Sequence, residues 1–199
     1  MRAILIRHGE STGNAGVPCD DLSLLKLTEN GWQQAKEVAE AWKEMPNLIV
    51  TSPYLRTQQT ALPTIARFPD VSVEAWPIQE FTYLEPSRWN GTLSVERKPY
   101  IEAYWRTGDP EFCDGPGAES FSNLLRRAEA TLTRMEGMHS RNCIFIFSHG
   151  QFIQAVRHTV MFPKWTDTQK MEHFWPSPVS NGQKIEVELA TEGWRLIET

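Results

Sequence analysis

Cysteine is scarce in this chain, and what there is carries no pattern. Cys19, Cys113 and Cys143 are far apart, odd in number and without C-x-x-C spacing. That excludes a cysteine metal cage or a dense disulfide framework and points to reduced thiols in a cytoplasmic protein. No apolar run approaches the roughly 20 residues of a membrane span. No charged n-region and apolar h-region precede Ala3, so neither secretion nor a membrane partner is expected. Positive charge is also short: 20 Lys and Arg against 25 Asp and Glu give a net charge of -5. Nucleic acid is therefore not an expected partner, because backbone binding needs clustered cations. Histidines are few, and His139, His158 and His173 lack the spacing of metal ligands, so no metal site is expected on them; no cofactor is expected either. Asn90-Gly91-Thr92 matches a glycosylation sequon and is read as chance.

What is present is the composition of a soluble globular domain, 40% hydrophobic and 23% charged. A length of 199 residues suits a single domain with a sizeable core. Residues 3–7 read as a short buried strand. Thr28 reads as the N-cap of a helix carrying Trp32, Ala35, Val38, Ala39 and Trp42. Leu48-Ile49-Val50 is a second buried strand ending in Thr51-Ser52-Pro53. Pro53 suits the first position of the next helix, and Pro63 is expected to kink or end it. Val71, Val73 and Ala75 alternate as a third strand leading to Glu80.

From 81 to 118 the pattern dissolves into prolines, glycines, aromatics and Arg88, Arg97, Lys98 and Arg106, which reads as a lid-like insertion. Regularity returns with an amphipathic helix from Phe121 to Met135 and the apolar strand 144–147, which ends in Ser148-His149-Gly150. A helix follows, then a loop after Pro163 that includes Pro176 and Pro178, then two alternating strands near 184–189 and 193–197. No internal repeat is visible. Strands alternating with helices predict an α/β sandwich with a mostly parallel sheet.

Three strand ends carry the chemistry. Arg7 and His8 follow the first strand, Arg56 lies one helical turn past the second, and His149 follows the strand 144–147. In open α/β sheets ligands bind at such ends. Two guanidinium groups suit a tetrahedral phosphate, Asn14 adds an amide donor, and the helix that opens at Gly150 and Gln151 offers free N–H groups to an anion. A neutral imidazole at His8 can attack phosphorus in line, with Arg7, Arg56 and His149 stabilising the equatorial oxygens. A carboxyl group must then protonate the leaving oxygen and later activate water. Glu80 is placed for this, and Glu85 is its rival. Glu10, Ser11 and Thr12 either contribute or merely shape the loop.

Arg7-His8-Gly9-Glu10 with Asn14 resembles the signature of the histidine phosphatase superfamily, the phosphoglycerate mutase-like proteins. Further matches follow in order: Leu27-Thr28-x-x-Gly31-x-x-Gln34-Ala35, Ser52-Pro53-x-x-Arg56-x-x-Gln59-Thr60-Ala61, Gly117-Ala118-Glu119-Ser120 and Ser148-His149-Gly150. The resemblance implies a three-layer α/β/α sandwich with a mixed, mostly parallel sheet as a single domain over 1–199. It also implies a phosphohistidine on His8, no metal, phosphate binding by Arg7, Asn14, Arg56 and His149, and Glu80 as proton donor. The activity expected is that of a histidine acid-type phosphatase, a phosphoric monoester hydrolase acting on a small phosphorylated molecule. A mutase, a phosphohistidine protein phosphatase and a non-catalytic phosphate-binding scaffold are the alternatives. The segment Glu80 to Gly91 departs from the family pattern, being longer and having Asn90 where Glu is usual.

Overall fold

A computed structural model of the chain describes residues 1–138, 143–174 and 179–197; His139, Pro176 and Pro178 lie outside the described residues. Six strands form one sheet in the order β3-β2-β4-β1-β5-β6. β1 (Arg2–Arg7), β2 (Leu48–Thr51), β3 (Val73–Ala75) and β4 (Cys143–Ser148) run parallel, while β5 (Lys184–Ala190) and β6 (Gly193–Ile197) close one side antiparallel.

The central strands are apolar on both faces because both are covered. Ala3, Leu5, Leu48, Val50, Ile144 and Ile146 face a core with α5 (Phe121–Glu136) and α6 (Gly150–Met161). Their alternates Ile4, Ile6, Ile49, Phe145 and Phe147 face α1 (Glu29–Glu40) and α2 (Leu55–Arg67). The period of two along each strand thus builds three layers from one sheet. Phe145 stacks on Trp42 with ring centroids 3.9 Å apart, and burying a side chain of that size stabilises by roughly 1.5–3 kcal/mol.

Register brings the chemistry together. Arg7 pairs with Ser148 and Thr51 with Phe147, so β1, β4 and β2 end on one rim. His8, Ser52 and His149 are the residues that step off it.

Several sequence expectations are corrected. α2 runs unbroken through Pro63; Thr60, Ala61 and Thr64 are buried on both sides of it, and that packing offsets the roughly 3 kcal/mol an interior proline costs. Pro53 lies ahead of the N-cap Tyr54 rather than at the first helical position. β3 spans only three residues, leaving Glu80 on an extended segment beyond it.

The 81–118 stretch is not without regular structure: it holds α3 (Pro86–Trp89) and α4 (Ser94–Arg106). Pro99 and apolar residues spread around α4 hide its period, and its start is held by the Glu96 carboxylate, which accepts the Leu93 N–H at 2.6 Å. Tyr104, 2% exposed, anchors it among Phe81, Tyr83 and Trp105. The stretch after Pro163 also contains a helix, α7 (Asp167–Phe174), tied to α5 by Ser122 donating to Asp167 at 2.6 Å. Asn90 donates its amide to the Asp20 carbonyl at 2.5 Å.

Candidate active site

The loop leaving β1 is fastened at almost every backbone group. His8 N–H continues the ladder to the Ser148 carbonyl at 3.0 Å, and the His8 carbonyl accepts from Asn181 Nδ2 at 2.9 Å. Gly9 N–H donates to Thr60 Oγ1 at 3.0 Å and Glu10 N–H to Gln34 Oε1 at 2.8 Å. Gln59 Oε1 holds Leu27 N–H at 2.8 Å on the neighbouring segment. Thr28 caps α1 by accepting Gly31 N–H, and its hydroxyl donates to the Glu10 carboxylate at 2.6 Å. Glycine is required at 31 because a Cβ there would collide with the Glu10 carbonyl. Glu10 turns its carboxylate toward Thr28 and Asn30, a loop-shaping position.

At the centre lies His8, 2% exposed. Its Nδ1 is 2.7 Å from the Gly9 carbonyl, and its Nε2 is 3.1 Å from Arg56 Nε. A carbonyl only accepts and a guanidinium only donates, so Nδ1 carries the proton and Nε2 the lone pair. Burial, then the charges of Arg56 and Arg7, hold His8 well below the usual histidine value, with the Gly9 contact opposing. The imidazole is therefore neutral near pH 7, as a nucleophile must be.

His149 lies behind it, with ring centroids 5.2 Å apart and edge-on. Burial, then Arg56 and His8, hold it well below the usual value too. Its Nε2 meets Ser52 Oγ at 2.7 Å, while its Nδ1 is buried without a partner. Burial lowers Arg7 and Arg56, and Glu80 opposes it in both; guanidinium groups remain cationic all the same. Arg56 is fixed by the Leu22 carbonyl at 2.7 Å and Arg7 by the Val179 carbonyl at 2.6 Å, which leaves Arg7 Nε buried and unpartnered.

A cavity of about 120 Å³ opens on these groups, with Arg7, His8, Ser11, Asn14, Arg56 and Glu80 on its wall. Asn14 Oδ1 accepts from Ser11 and Asn181, so Nδ2 is the atom left for a ligand. Glu80 Oε1 accepts N–H from Phe81 and from Gln151, each at 3.1 Å. The Gln151 amide, expected to serve an anion directly, is thus given to a carboxylate. Gly150 fits against Arg7, where a Cβ would sit 3.3 Å from Nε. Glu85 is turned elsewhere, its carboxylate pairing with Arg88 at 2.8 Å and accepting from Ser87.

Sequence reasoning gave no roles to Ser52, Thr60, Gln34 or Asn181, each of which holds a site residue in place. The first three lie inside quoted motifs, which was the available signal; Asn181 had none. No group of three metal-ligating side chains occurs among the described residues. No helix among them is long and apolar enough to cross a membrane.

Comparison with known proteins places this arrangement. Phosphoserine phosphatase 1 of Hydrogenobacter thermophilus is 30% identical over 154 residues, 75% of this chain and 71% of that protein. A metal-independent phosphoserine phosphatase of Arabidopsis thaliana is 26% identical over 163 residues, 77% of this chain and 66% of that protein. The crystal structure of an α-ribazole phosphatase from Shigella flexneri shares the fold at a TM-score of 0.79, with 20% identity over 99% of this chain and 95% of that one. With the family model matching residues 3–199, the chain belongs to the histidine phosphatase superfamily, branch 1.

Proposed function

We propose that the chain hydrolyses phosphomonoesters of small molecules through a phosphohistidine on His8 Nε2. One observation carries this reading: two polar atoms, Arg7 Nε and His149 Nδ1, are buried without partners beside a neutral, buried imidazole. Buried orphan groups of this kind cost free energy unless a ligand meets them, and a phosphoryl group would meet both.

In the first step Nε2 forms a bond to phosphorus as the ester P–O bond breaks, and Glu80 gives its proton to the leaving oxygen. Arg56 Nε, which now donates to Nε2, transfers its hydrogen bond to a phosphoryl oxygen. The Nδ1–H to Gly9 contact holds the ring while it carries the phosphoryl group. In the second step water attacks phosphorus, Glu80 takes its proton, the P–N bond breaks, and inorganic phosphate leaves. Glu80 suits both steps because two backbone amides fix Oε1 and leave Oε2 for the proton. The unpaired cysteines fit a cytoplasmic location.

Para-nitrophenyl phosphate in the presence of EDTA tests the reaction, with quenching during turnover to trap acid-labile phosphate. His8→Ala is expected to abolish both turnover and labelling. Labelling that survives in His8→Ala overturns the assignment.

A further inference from the structure

The phosphate cavity does not stand alone. A second cavity of about 240 Å³ shares Leu22, Glu80 and Arg97 with it as common wall. Its other sides include Tyr83, Trp89 and Ile101. The roof is fastened to the phosphate side: Gly91 N–H donates to the Cys19 carbonyl at 2.9 Å, beside the Asn90 bond to Asp20. Arg97 Nη1 reaches the Trp89 carbonyl at 3.4 Å, and the Trp89 ring leans on Tyr100 with centroids 4.1 Å apart. The two cavities therefore adjoin, with Glu80 on their common wall.

That shared position of Glu80 determines where the leaving group goes. A proton donor must lie within hydrogen-bond reach of the leaving oxygen, so the alcohol emerges beside Glu80. Of the spaces that Glu80 lines, this one shares three wall residues with the phosphate cavity. Another, bounded by Arg126 and Arg127, shares Glu80 alone. The volume is below the roughly 300–1,000 Å³ of drug-sized sites and suits a leaving group of one ring or a short chain.

Among the residues lining the second cavity only Glu80 and Arg97 are charged. An amino-acid alcohol would bring an ammonium whose sole acidic partner is Glu80. Pairing would hold that carboxyl ionised and oppose protonation of the leaving oxygen. An apolar ring meets no such conflict. Resting on the phosphatase reading above, we infer that this cavity is the leaving-group subsite and selects phosphomonoesters of ring-bearing apolar alcohols over amino-acid esters such as phosphoserine.

The test compares kcat/KM for 2-phenylethyl phosphate and O-phosphoserine, both alkyl esters, with the wild-type chain. The ring ester is expected to be favoured by about 10-fold or more, the discrimination an apolar pocket supplies. Ile101→Asp and Trp89→Ala should each reduce that ratio toward one. A wild-type ratio at or below one, or equal losses on both esters in both variants, overturns the subsite while leaving the phosphatase reading intact. Hydrolysis of neither ester, with no labelling of His8, removes the reaction itself and the subsite with it.

Discussion

Ser52→Ala separates a positioning role from a structural one. Ser52 is fully buried, and its Oγ accepts the Tyr54 N–H at 3.1 Å. Its proton goes either to Thr57 Oγ1 at 3.0 Å or to His149 Nε2 at 2.7 Å. Thr57 sends its own proton to the Tyr54 carbonyl at 2.7 Å. If Ser52 donates to His149, the imidazole proton sits on Nδ1, a donor for a phosphoryl oxygen. If Ser52 donates to Thr57, Nδ1 presents a lone pair to that oxygen, which repels it. A bound phosphoryl group therefore selects the first arrangement.

Removing the hydroxyl orphans Tyr54 N–H and His149 Nε2. At about 1–3 kcal/mol for each buried group left unsatisfied, stability should fall by roughly 2–6 kcal/mol, a large share of the 5–15 kcal/mol a domain of this kind holds. The tautomer is no longer imposed, and losing a preorganised donor should lower kcat by about 10- to 100-fold with a smaller change in KM. Thr57→Val is the contrast. It removes the competing acceptor but leaves Ser52 with His149, and the Tyr54 carbonyl keeps the Thr57 and Gln58 N–H groups, so it should destabilise the fold less than Ser52→Ala while kcat stays within about threefold. Urea unfolding, steady-state kinetics and ¹⁵N shifts of the His149 ring read the three quantities. Equal kcat in Ser52→Ala and wild type, with the Nδ1–H tautomer unchanged, would refute the reasoning.

Two further predictions rest on particular side chains. Glu80→Gln should lower kcat by about 10²–10⁴-fold, the usual worth of general acid–base catalysis, whereas Glu85→Gln, which loses its Arg88 partner at the surface, should cost little activity. Rate profiles of the two variants decide between the carboxylates, and a larger loss in Glu85→Gln reverses the assignment. His158, 5% exposed, is held down to about 4 by burial first and by Arg157, His173 and Lys170 after it. Its folded value is below its unfolded value near 6.5, so the unfolded chain binds the extra proton. Stability is therefore fully present above pH 6.5 and falls as the pH drops toward 4. Allowing for screening by solvent, this one group should remove about 1–2 kcal/mol, and urea midpoints of His158→Gln should decline less than those of wild type between pH 7 and 4.5; parallel declines would exclude the role.

The central sheet and the rim of the site were legible because they rest on local signals. Ile4-Leu5-Ile6 and Ile144-Phe145-Ile146-Phe147 are continuous apolar runs of the kind a strand covered on both faces needs, and each is followed one residue later by a histidine. Thr28 was legible as a cap because a cap is a local bond, and Thr28 does accept Gly31 N–H. α4 was not legible, since Pro99 reads as a break and what fixes the helix is Tyr104 packed among aromatic residues distant in sequence. The same limit hid Thr60 and Asn181, whose partners Gly9 and His8 lie 51 and 173 residues away. Sequence thus exposes the groups that do chemistry, because strand ends display them. The groups that aim them are joined only by the fold. That division explains why the chain alone could prefer Glu80 to Glu85 only by its place after the third strand, a strand that in the fold ends at Ala75. Only the Gln151 amide, brought from the start of α6, distinguishes the carboxylate that is held in the cavity from the one that is not.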